Sequence, residues 1–362
     1  MDEAEAKLLV ERCLPRLSAA GLPPLSADAI TAVQPKRIAS LWAGMGNVWE
    51  LAVSSDGGRP LTIIAKKVEL PRVCASIGDQ RKKDSYDVEA AFYSRGHAER
   101  LIAAGSTVPF PLHVEHRPGA GVTICMTRVE GRRSRRGGSA AFVGWLARLH
   151  AAYWGGRADE ACGGGARGGL QAQGCYWHLD TRPEEHARMG RAGWMGRLRL
   201  AARAIDLRLK ADPLQSVCHG DAKGANILYA EGGAAVVPLV YDFQYCGKAC
   251  VAKDLAYFFN VEAGAAEEEA LLAHYHAALC ALLAAQGDAP PSMGALRTAL
   301  ELALCDWRRF SEVGLGGWGD SGANRRVQAL LSRLDGGTAL ASEQAYVKAM
   351  RREFPVDDDG SS

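Results

Sequence analysis

Residues 217–242 read V-C-H-G-D-A-K-G-A-N-I-L-Y-A-E-G-G-A-A-V-V-P-L-V-Y-D, and this stretch decides how the rest of the chain is read. An apolar approach (Val217, Cys218) runs into a loop that holds a carboxylate, Asp221. Lys223 follows two residues on and Asn226 five residues on. Ile227-Leu228-Tyr229, the turn Glu231-Gly232-Gly233 and the run Val236 to Tyr241 have the pattern of a β-hairpin, which delivers a second carboxylate, Asp242. Asp221 and Asn226 alone would signify no more than an Asx turn. His-Gly-Asp, the lysine, the asparagine, the hairpin and the second aspartate together ask for a chemical explanation.

Phosphoryl transfer supplies one. That reaction needs metal ions to neutralise phosphate charge, a carboxylate to orient the attacking hydroxyl and take its proton, and a site that excludes water. Asp221 suits the base. Lys223 suits a cation that balances charge on the migrating phosphoryl group. Asn226 offers a neutral amide oxygen to a metal, and Asp242 a charged one. Magnesium prefers one or two carboxylates together with phosphate oxygens and water, which this set allows.

The sequence N-terminal to this segment changes texture twice. Residues 1–33 have the pattern of an amphipathic helix (Leu8, Leu9, Cys13, Leu14), a turn at Pro23-Pro24 and a helix-capping sequence at Ser26-Ala27-Asp28. From Lys36 three short strands follow, Arg37–Trp42, Val48–Val53 and Leu61–Val68, joined by turns at Ala43–Asn47 and Ser54–Gly58. Gly44, Gly46 and Asn47 in the first turn are candidates for a phosphate-cradling backbone, although any tight hairpin favours glycine. Lys66 and Lys67 end the third strand and face opposite sides of it, so one of them can face a nucleotide. Strand parity does not decide which; Lys66, after Ile63-Ile64-Ala65 and at its distance from Pro71, is preferred. Glu89, in the helical pattern Ser85–Tyr93, is the candidate partner that fixes the lysine. The strand Gly121–Met126 then leads to a hinge at about Thr127 to Glu130, with Met126 and Arg128 as candidate nucleotide contacts. The basic run 132–136 reads as a solvated loop, with recruitment of an anionic substrate as a second option.

Ala140–Trp154 is a helix with Phe142, Trp145, Leu146, Leu149 and Tyr153 on one face, and His150 in it reads as a structural hydrogen-bonding residue. Gly155–Gly174, rich in Gly and Ala, reads as a flexible insertion without chemistry. Residues 183–210 are helical and Arg-rich. Helices are expected over Glu267–Ala285, Pro291–Glu312, Asn324–Leu334 and Ser342–Phe354, before a polar tail, Asp357–Ser362. There are no internal repeats.

Composition limits the alternatives. The 362 residues carry 48% hydrophobic and 23% charged residues and a formal net charge of +2, which gives no reason to invoke nucleic acid or an anionic membrane surface. No apolar run reaches the length of a spanning helix. The acidic start, Met1-Asp2-Glu3-Ala4-Glu5, is unlike a secretory signal, so a cytoplasmic protein is expected. The ten cysteines form no C-x-x-C pair and read as small buried thiols.

His219-Gly220-Asp221 through Asn226, followed by Asp242, resembles the aminoglycoside phosphotransferase and choline kinase-like superfamily. Val88–Tyr93 and Leu146–Trp154 are similar to the E-x-x-F-Y and L-A-x-L-H-A patterns of its CHK, or ecdysteroid kinase-like, branch. The resemblance spans about Trp42 to Phe259. It implies an α+β, two-lobed protein-kinase-like fold. Residues 1–130 would be a small antiparallel-sheet lobe, and 131–362 a larger helical lobe carrying the catalytic loop 218–244. It further implies an ATP-dependent kinase acting on a hydroxyl of a small molecule. Asp221 would be the base, Asn226 and Asp242 the magnesium ligands, and Lys66 or Lys67 the partner of Glu89. Asp254, in Lys253-Asp254-Leu255-Ala256-Tyr257, resembles the family acid that braces the catalytic loop. The metal motif departs from protein kinases: Gln244 stands in Asp242-Phe243-Gln244 where they have glycine. Thr127-Arg128 stands where family members often carry an acid. Asp306, Trp307, Trp318 and Asp320 could face an acceptor, but core packing is the favoured role for any single one of them. The passage from Asp242 to Asp254 lacks an A-P-E sequence and is short for a peptide-binding segment, which weighs against a protein kinase. A nucleotide-binding pseudokinase is the competing class; the complete Lys, Glu, Asp, Asn, Asp set argues against it.

Overall fold

A computed structural model describes residues 1–41, 44–56, 58, 60–70, 76–117, 119–163, 169–231, 233 and 235–356. Trp42, Ala43, Gly57, Pro71, Gly232, Asp357 to Ser362 and the stretch 164–168 of the glycine-rich insertion lie outside the described residues. The fold is mixed α and β and divides into two compact units. The first comprises Met1–Arg132 and Leu228–Gln244; the second draws on 133–163, 170–227 and 245–356. The hairpin carrying Asp242 thus packs with the N-terminal unit rather than with the chain on either side of it.

The first unit is a five-stranded antiparallel sheet built from hairpins. Helix α1 (Glu3–Cys13) precedes β1 (Ile30–Ser40), β2 (Gly46–Ser55) and β3 (Leu61–Glu69). Helices α2 (Ile77–Ser94) and α3 (His97–Ala103) follow, then β4 (Pro111–Arg117) and β5 (Gly121–Thr127); the strand order is β1-β2-β3-β5-β4. Ser26–Asp28 does not start an α-helix. A single 3-10 turn over Ala27–Ala29 gives way to β1 at Ile30, because Ile30 and Val33 bury their side chains as strand residues against α1. The first strand therefore begins seven residues before the expected Arg37.

Alternation along β3 organises the unit. Ile63 and Ala65 point into the core made by Ala6, Leu9, Val10 and Cys13 of α1 with Leu51 and Val53 of β2. Lys67 follows on that same side, and Lys66 is on the other. Gly46 sits opposite Val68, with φ +147; a Cβ there would come within 2.1 Å of the Lys67 carbonyl oxygen. Only glycine fits that approach. Strands β7 (Ile227–Tyr229) and β8 (Pro238–Val240) form the expected hairpin.

The second unit is helical, apart from β6 (Gln215–Cys218) paired antiparallel with β9 (Gly247–Cys250). Its helices are α4 (Gly138–Ala152), α5 (Gly156–Cys162), α6 (Pro183–Arg188), α7 (Gly193–Lys210), α8 (Ala252–Val261), α9 (Ala265–Gln286), α10 (Met293–Gly314), α11 (Ala323–Asp335) and α12 (Glu343–Glu353). The described residues of the glycine-rich segment after α4 are more ordered than its composition suggests. It holds α5, and Gln171 and Gly174 hydrogen-bond the backbone of Cys246 and Lys248. Eight of the nine described cysteines are buried, and no disulfide links them. Among the described residues, no helix is long and apolar enough to cross a membrane.

A charged cluster lies inside this helical core. Lys253 of α8 pairs with Asp306 of α10 at 3.0 Å, and Arg309 pairs with the same carboxylate at 2.8 Å; all three are 1% exposed. Burial opposes the charge of Asp306, but Lys253 and Arg309 outweigh it and hold its carboxyl below the ordinary value. Asp306 and Trp307 are core residues, the favoured of the two roles open to them in sequence. Asp306→Ala would leave two buried cations without their carboxylate and should destabilise the fold by about 3–5 kcal/mol. Breaking the exposed Arg297–Glu269 pair by Arg297→Ala should leave the urea midpoint unchanged. Equal midpoints for the two variants would contradict this account of the core.

Candidate active site

The catalytic-loop segment is built on the end of β6. Gly220 adopts φ +81, and a Cβ there would fall 2.2 Å from the Tyr245 carbonyl oxygen, so the chain turns against the residues that lead into β9, where only glycine fits. The carboxylate of Asp254, in the first turn of α8, accepts from the backbone N–H groups of His219 (2.7 Å) and Gly220 (2.9 Å). Its Oδ2 is also 3.3 Å from His150 Nε2 of α4, whose Nδ1 is 2.7 Å from the Tyr275 hydroxyl of α9. Burial opposes the charge on Asp254, but hydrogen bonds from His150 and the loop hold its carboxyl below the ordinary value. His150, Cys218 and Asp254 offer ligand atoms within 4.8 Å of one another. These atoms are occupied by hydrogen bonds, the Cys218 thiol lying 3.5 Å from the Cys250 carbonyl, which makes the group a brace for the loop.

Asp221 follows this brace and is 4% exposed. Its Oδ2 accepts from Asn226 Nδ2 at 3.0 Å and pairs with Lys223 Nζ at 3.0 Å; its Oδ1 accepts from the Tyr257 hydroxyl at 3.0 Å. Asn226 Nδ2 also reaches the Asp221 carbonyl oxygen at 2.9 Å. The amide nitrogen is thereby committed, and the amide oxygen remains as a neutral acceptor. Arg133 donates to the carbonyl oxygens of Gly224 and Ala225, and Glu262 accepts from the Gly224 N–H. The basic run is thus built onto the chain around the loop: Arg132 pairs its backbone with Tyr229 and its guanidinium with Glu231.

In the first unit, Lys66 Nζ lies 2.5 Å from Glu89 Oε2 and 3.4 Å from Asp242 Oδ1. Burial opposes the Lys66 charge, but the two carboxylates outweigh it and keep the ammonium protonated. Burial pushes Glu89 up to about 7, against the pull of Lys66. Gln244 hydrogen-bonds Glu89 and accepts from the Ser85 hydroxyl at 3.2 Å. Asp242 adopts φ +69, unusual for a residue other than glycine. The next residue, Phe243, stacks on Phe92 of α2 with centroids 3.7 Å apart and planes 7° apart.

A model of the phosphotransferase enzyme family, APH, matches residues 75–296, more than half of the chain. The chain belongs to this family. It is therefore a kinase, a phosphotransferase with a hydroxyl acceptor. No curated protein matches it. Among solved structures, this phosphotransferase is similar to a microcompartment-associated aminopropanol kinase: 14% identity, 93% of this chain and 98% of that one covered, TM-score 0.47. It is similar to a putative fructosamine-3-kinase from Haemophilus somnus 129PT, with 13% identity, coverage of 89% and 96%, and TM-score 0.46. A third is an aminoglycoside phosphotransferase from Streptomyces rimosus in complex with ADP and streptomycin, with 19% identity, coverage of 81% and 97%, and TM-score 0.38.

Several site candidates of the phosphotransferase lie elsewhere than expected. Lys67 is paired with Glu5 of α1 at 2.6 Å and with Glu69 at 3.6 Å, on the sheet face that α1 covers, so it does not share Lys66's surroundings. Arg128, partly exposed, pairs its guanidinium with Glu50 (3.0 Å) and Glu130 (3.1 Å). Met126 is buried within β5, and the Thr127 N–H is committed to the Phe110 carbonyl. Gly46 is explained by its approach to β3, Gly44 has open space around a left-handed φ of +69, and Asn47 lies 3.4 Å from the Ser40 hydroxyl. Asp320 accepts from the Gly322 N–H, while Trp318 is 43% exposed with its ring edge toward Tyr257.

Sequence reasoning missed Tyr257 and the role of Gln244. The signal for Tyr257 was its spacing: three residues after Asp254 on one helix, it projects from the same face toward the loop. Asp254→Ala strips two buried backbone donors of their acceptor. It should cost about 3 kcal/mol or more and abolish hydrogen-exchange protection at the His219 and Gly220 amides; retained protection would show that another group holds the loop.

Proposed function

We propose that this phosphotransferase transfers the γ-phosphoryl group of ATP to a hydroxyl of a small molecule, with Asp221 as the general base. The observation that carries the reading is the environment of Asp221. A nearly buried carboxylate is held by hydrogen bonds from Asn226 and Tyr257 and by an ion pair with Lys223, on a loop fixed by a second buried acid. A base needs such fixed orientation more than it needs bulk basicity. Lys66, fixed by Glu89, would hold the nucleotide phosphates.

The donor set suits magnesium. Asn226 supplies a neutral amide oxygen, and the Asp242 side chain, about a third exposed, supplies a carboxylate that Lys66 only partly engages. Bound there, the ion would neutralise phosphate charge and favour transfer. The chain's own groups do the rest: Lys66 binds phosphate, Asp221 orients the acceptor hydroxyl and takes its proton, and Lys223 balances charge beside the base. The E-x-x-F-Y and L-A-x-L-H-A patterns favour placement in the CHK branch, and a cytoplasmic setting goes with that reading.

The direct test is a nucleotide-consumption screen across alcohol-bearing metabolites with Asp221→Asn and Asp242→Ala as controls. Asp221→Asn should bind nucleotide as the parent does and lose transfer by about 10²–10⁴-fold, whereas Asp242→Ala should lose magnesium-dependent nucleotide binding. Transfer surviving in Asp221→Asn would remove the base assignment.

The Glu89 environment adds a pH dependence. Burial raises the Glu89 carboxyl above its ordinary range, to about 7, so its charge and its grip on Lys66 weaken as pH falls. Nucleotide affinity, followed by titration with a fluorescent analogue, should decline from pH 8 to 6. In Glu89→Gln it should be weak and lack that Glu89-linked decline; the same decline in both proteins would assign it to another group.

A further inference from the structure

We propose that Trp318 is the platform on which the acceptor lies, and that the acceptor is a neutral alcohol whose hydroxyl is carried on a ring. The inference rests on the reading of Asp221 as the base that receives that hydroxyl. An aromatic layer leads from the base to the surface within the second unit. The Tyr257 hydroxyl donates to Asp221 Oδ1 at 3.0 Å, and the Tyr257 ring stacks on Trp307 with centroids 4.2 Å apart and planes 24° apart. Trp318 meets both rings edge to face, 6.1 Å from Tyr257 and 6.3 Å from Trp307. Tyr257 and Trp307 are fully buried, whereas Trp318 is 43% exposed and is the one exposed tryptophan among the described residues. The layer thus ends in bare indole, and one buried ring separates that indole from the base.

The fold holds the indole in this exposed position. Arg308 of α10 donates from Nη1 to the Trp318 carbonyl oxygen at 3.2 Å. The Trp318 N–H donates to the Leu315 carbonyl oxygen at 3.3 Å, and the Asp320 N–H to the Asn260 carbonyl oxygen of α8 at 2.8 Å. Backbone on both sides of the indole is therefore fastened to the helices that carry Trp307 and Tyr257. Leu315, 37% exposed, adds apolar surface on the same loop. A large ring kept in water on a fixed backbone gains free energy when a flat apolar partner covers it, and little ordering is needed to receive that partner.

The charges around the layer favour a neutral partner. Arg182 lies over the Tyr176 ring at 5.1 Å and the Phe310 ring at 4.5 Å, and the Tyr176 hydroxyl is 3.2 Å from that of Tyr257. The chain's own guanidinium thus fills a cation–π place on this layer. Lys223 Nζ adds a second positive charge 3.0 Å from the Asp221 carboxylate. A cationic acceptor would meet both, and an anionic one would meet Asp221 and Asp320. Arg308, which clasps the Trp318 backbone, is itself paired with Glu312. A ring also loses less conformational freedom on the indole than an open chain of the same size.

The test compares cyclohexylmethanol, heptanol of equal carbon count as its open-chain counterpart, and the aminomethyl derivative of cyclohexylmethanol as a cationic ring. With the full chain and magnesium ADP, cyclohexylmethanol should shield an accessible tryptophan from acrylamide quenching, and do so better than either of the others at equal concentration. Trp318→Phe should lose the accessible component, which assigns it. In nucleotide-consumption assays kcat/KM should favour the ring over the chain by about tenfold; Trp318→Ala should bring that ratio toward one, and Trp318→Phe should retain most of it. Shielding in the parent requires no variant to fold, and it decides for an alcohol that is bound without being turned over. Absent shielding, equal shielding by heptanol, stronger shielding by the aminomethyl derivative, or a ring-to-chain ratio unchanged in Trp318→Ala would overturn the proposal. Asp221→Asn separates the two levels, since it should keep the shielding and lose turnover. Turnover retained there removes the base reading, whereas an inactive Asp221→Asn beside a parent without shielding removes the platform alone.

Discussion

One buried carboxylate holds the loop that carries Asp221. Asp254 accepts two backbone N–H groups from His219 and Gly220 and faces His150, so the loop, α8, α4 and, through Tyr275, α9 meet at a single charge. Removing a carboxylate from water is costly, and it is tolerated here because preformed donors replace the lost hydration. The loop cannot relax without stranding those donors. That is why Asp221, the residue after Gly220, has a defined direction although it sits on irregular backbone.

The first unit shows the same logic with strain added. Asp242 sits in the left-handed region at φ +69, which costs a residue with a Cβ about 1–2 kcal/mol. Its neighbours offset that cost. Phe243 is clamped flat against Phe92, and Lys66 lies 3.4 Å from the Asp242 carboxylate. Gln244 works on the same assembly from the other side, joining Ser85 and Glu89. A glycine after Phe243 would make neither contact, so the departure from the protein-kinase motif has a structural consequence: α2 is tied to this segment by a side-chain amide.

How much of this was legible in the sequence depended on whether the signal was local. The hairpin after Asn226 and the helices of the C-terminal third follow from turn residues and periodicity, and the structure has them. The choice between Lys66 and Lys67 does not, because parity says that they face opposite sides and not which side α1 covers. Once Ile63 and Ala65 are seen packed against α1, Lys67 must point there too, toward Glu5. The start of β1 was missed for a related reason. Ser26-Ala27-Asp28 does begin a turn, but burial of Ile30 and Val33 against α1 overrides the local capping signal. Arg133 is exposed, as a solvated charge run should be, but it also donates to carbonyl oxygens, partners that leave no trace in sequence.

The acids of the site are one or two residue types in distinct roles, and the donors around each account for the difference. Asp254 has both oxygens taken by the fold and is left with a structural role. Glu89 is buried against one ammonium, which makes it a clamp whose charge state is sensitive near neutral pH. Asp242 is about a third exposed and only partly engaged by Lys66, which suits a ligand to a cation. Asp221 lies between these extremes: each of its oxygens accepts one hydrogen bond, from Asn226 and from Tyr257, and the Lys223 ammonium pairs with it. A fully satisfied carboxylate cannot take a proton from a substrate, and an unsatisfied one would not stay aimed. A carboxylate that is held by the fold but only partly hydrogen-bonded suits both requirements, and the Tyr257 hydroxyl contributes to its rigidity.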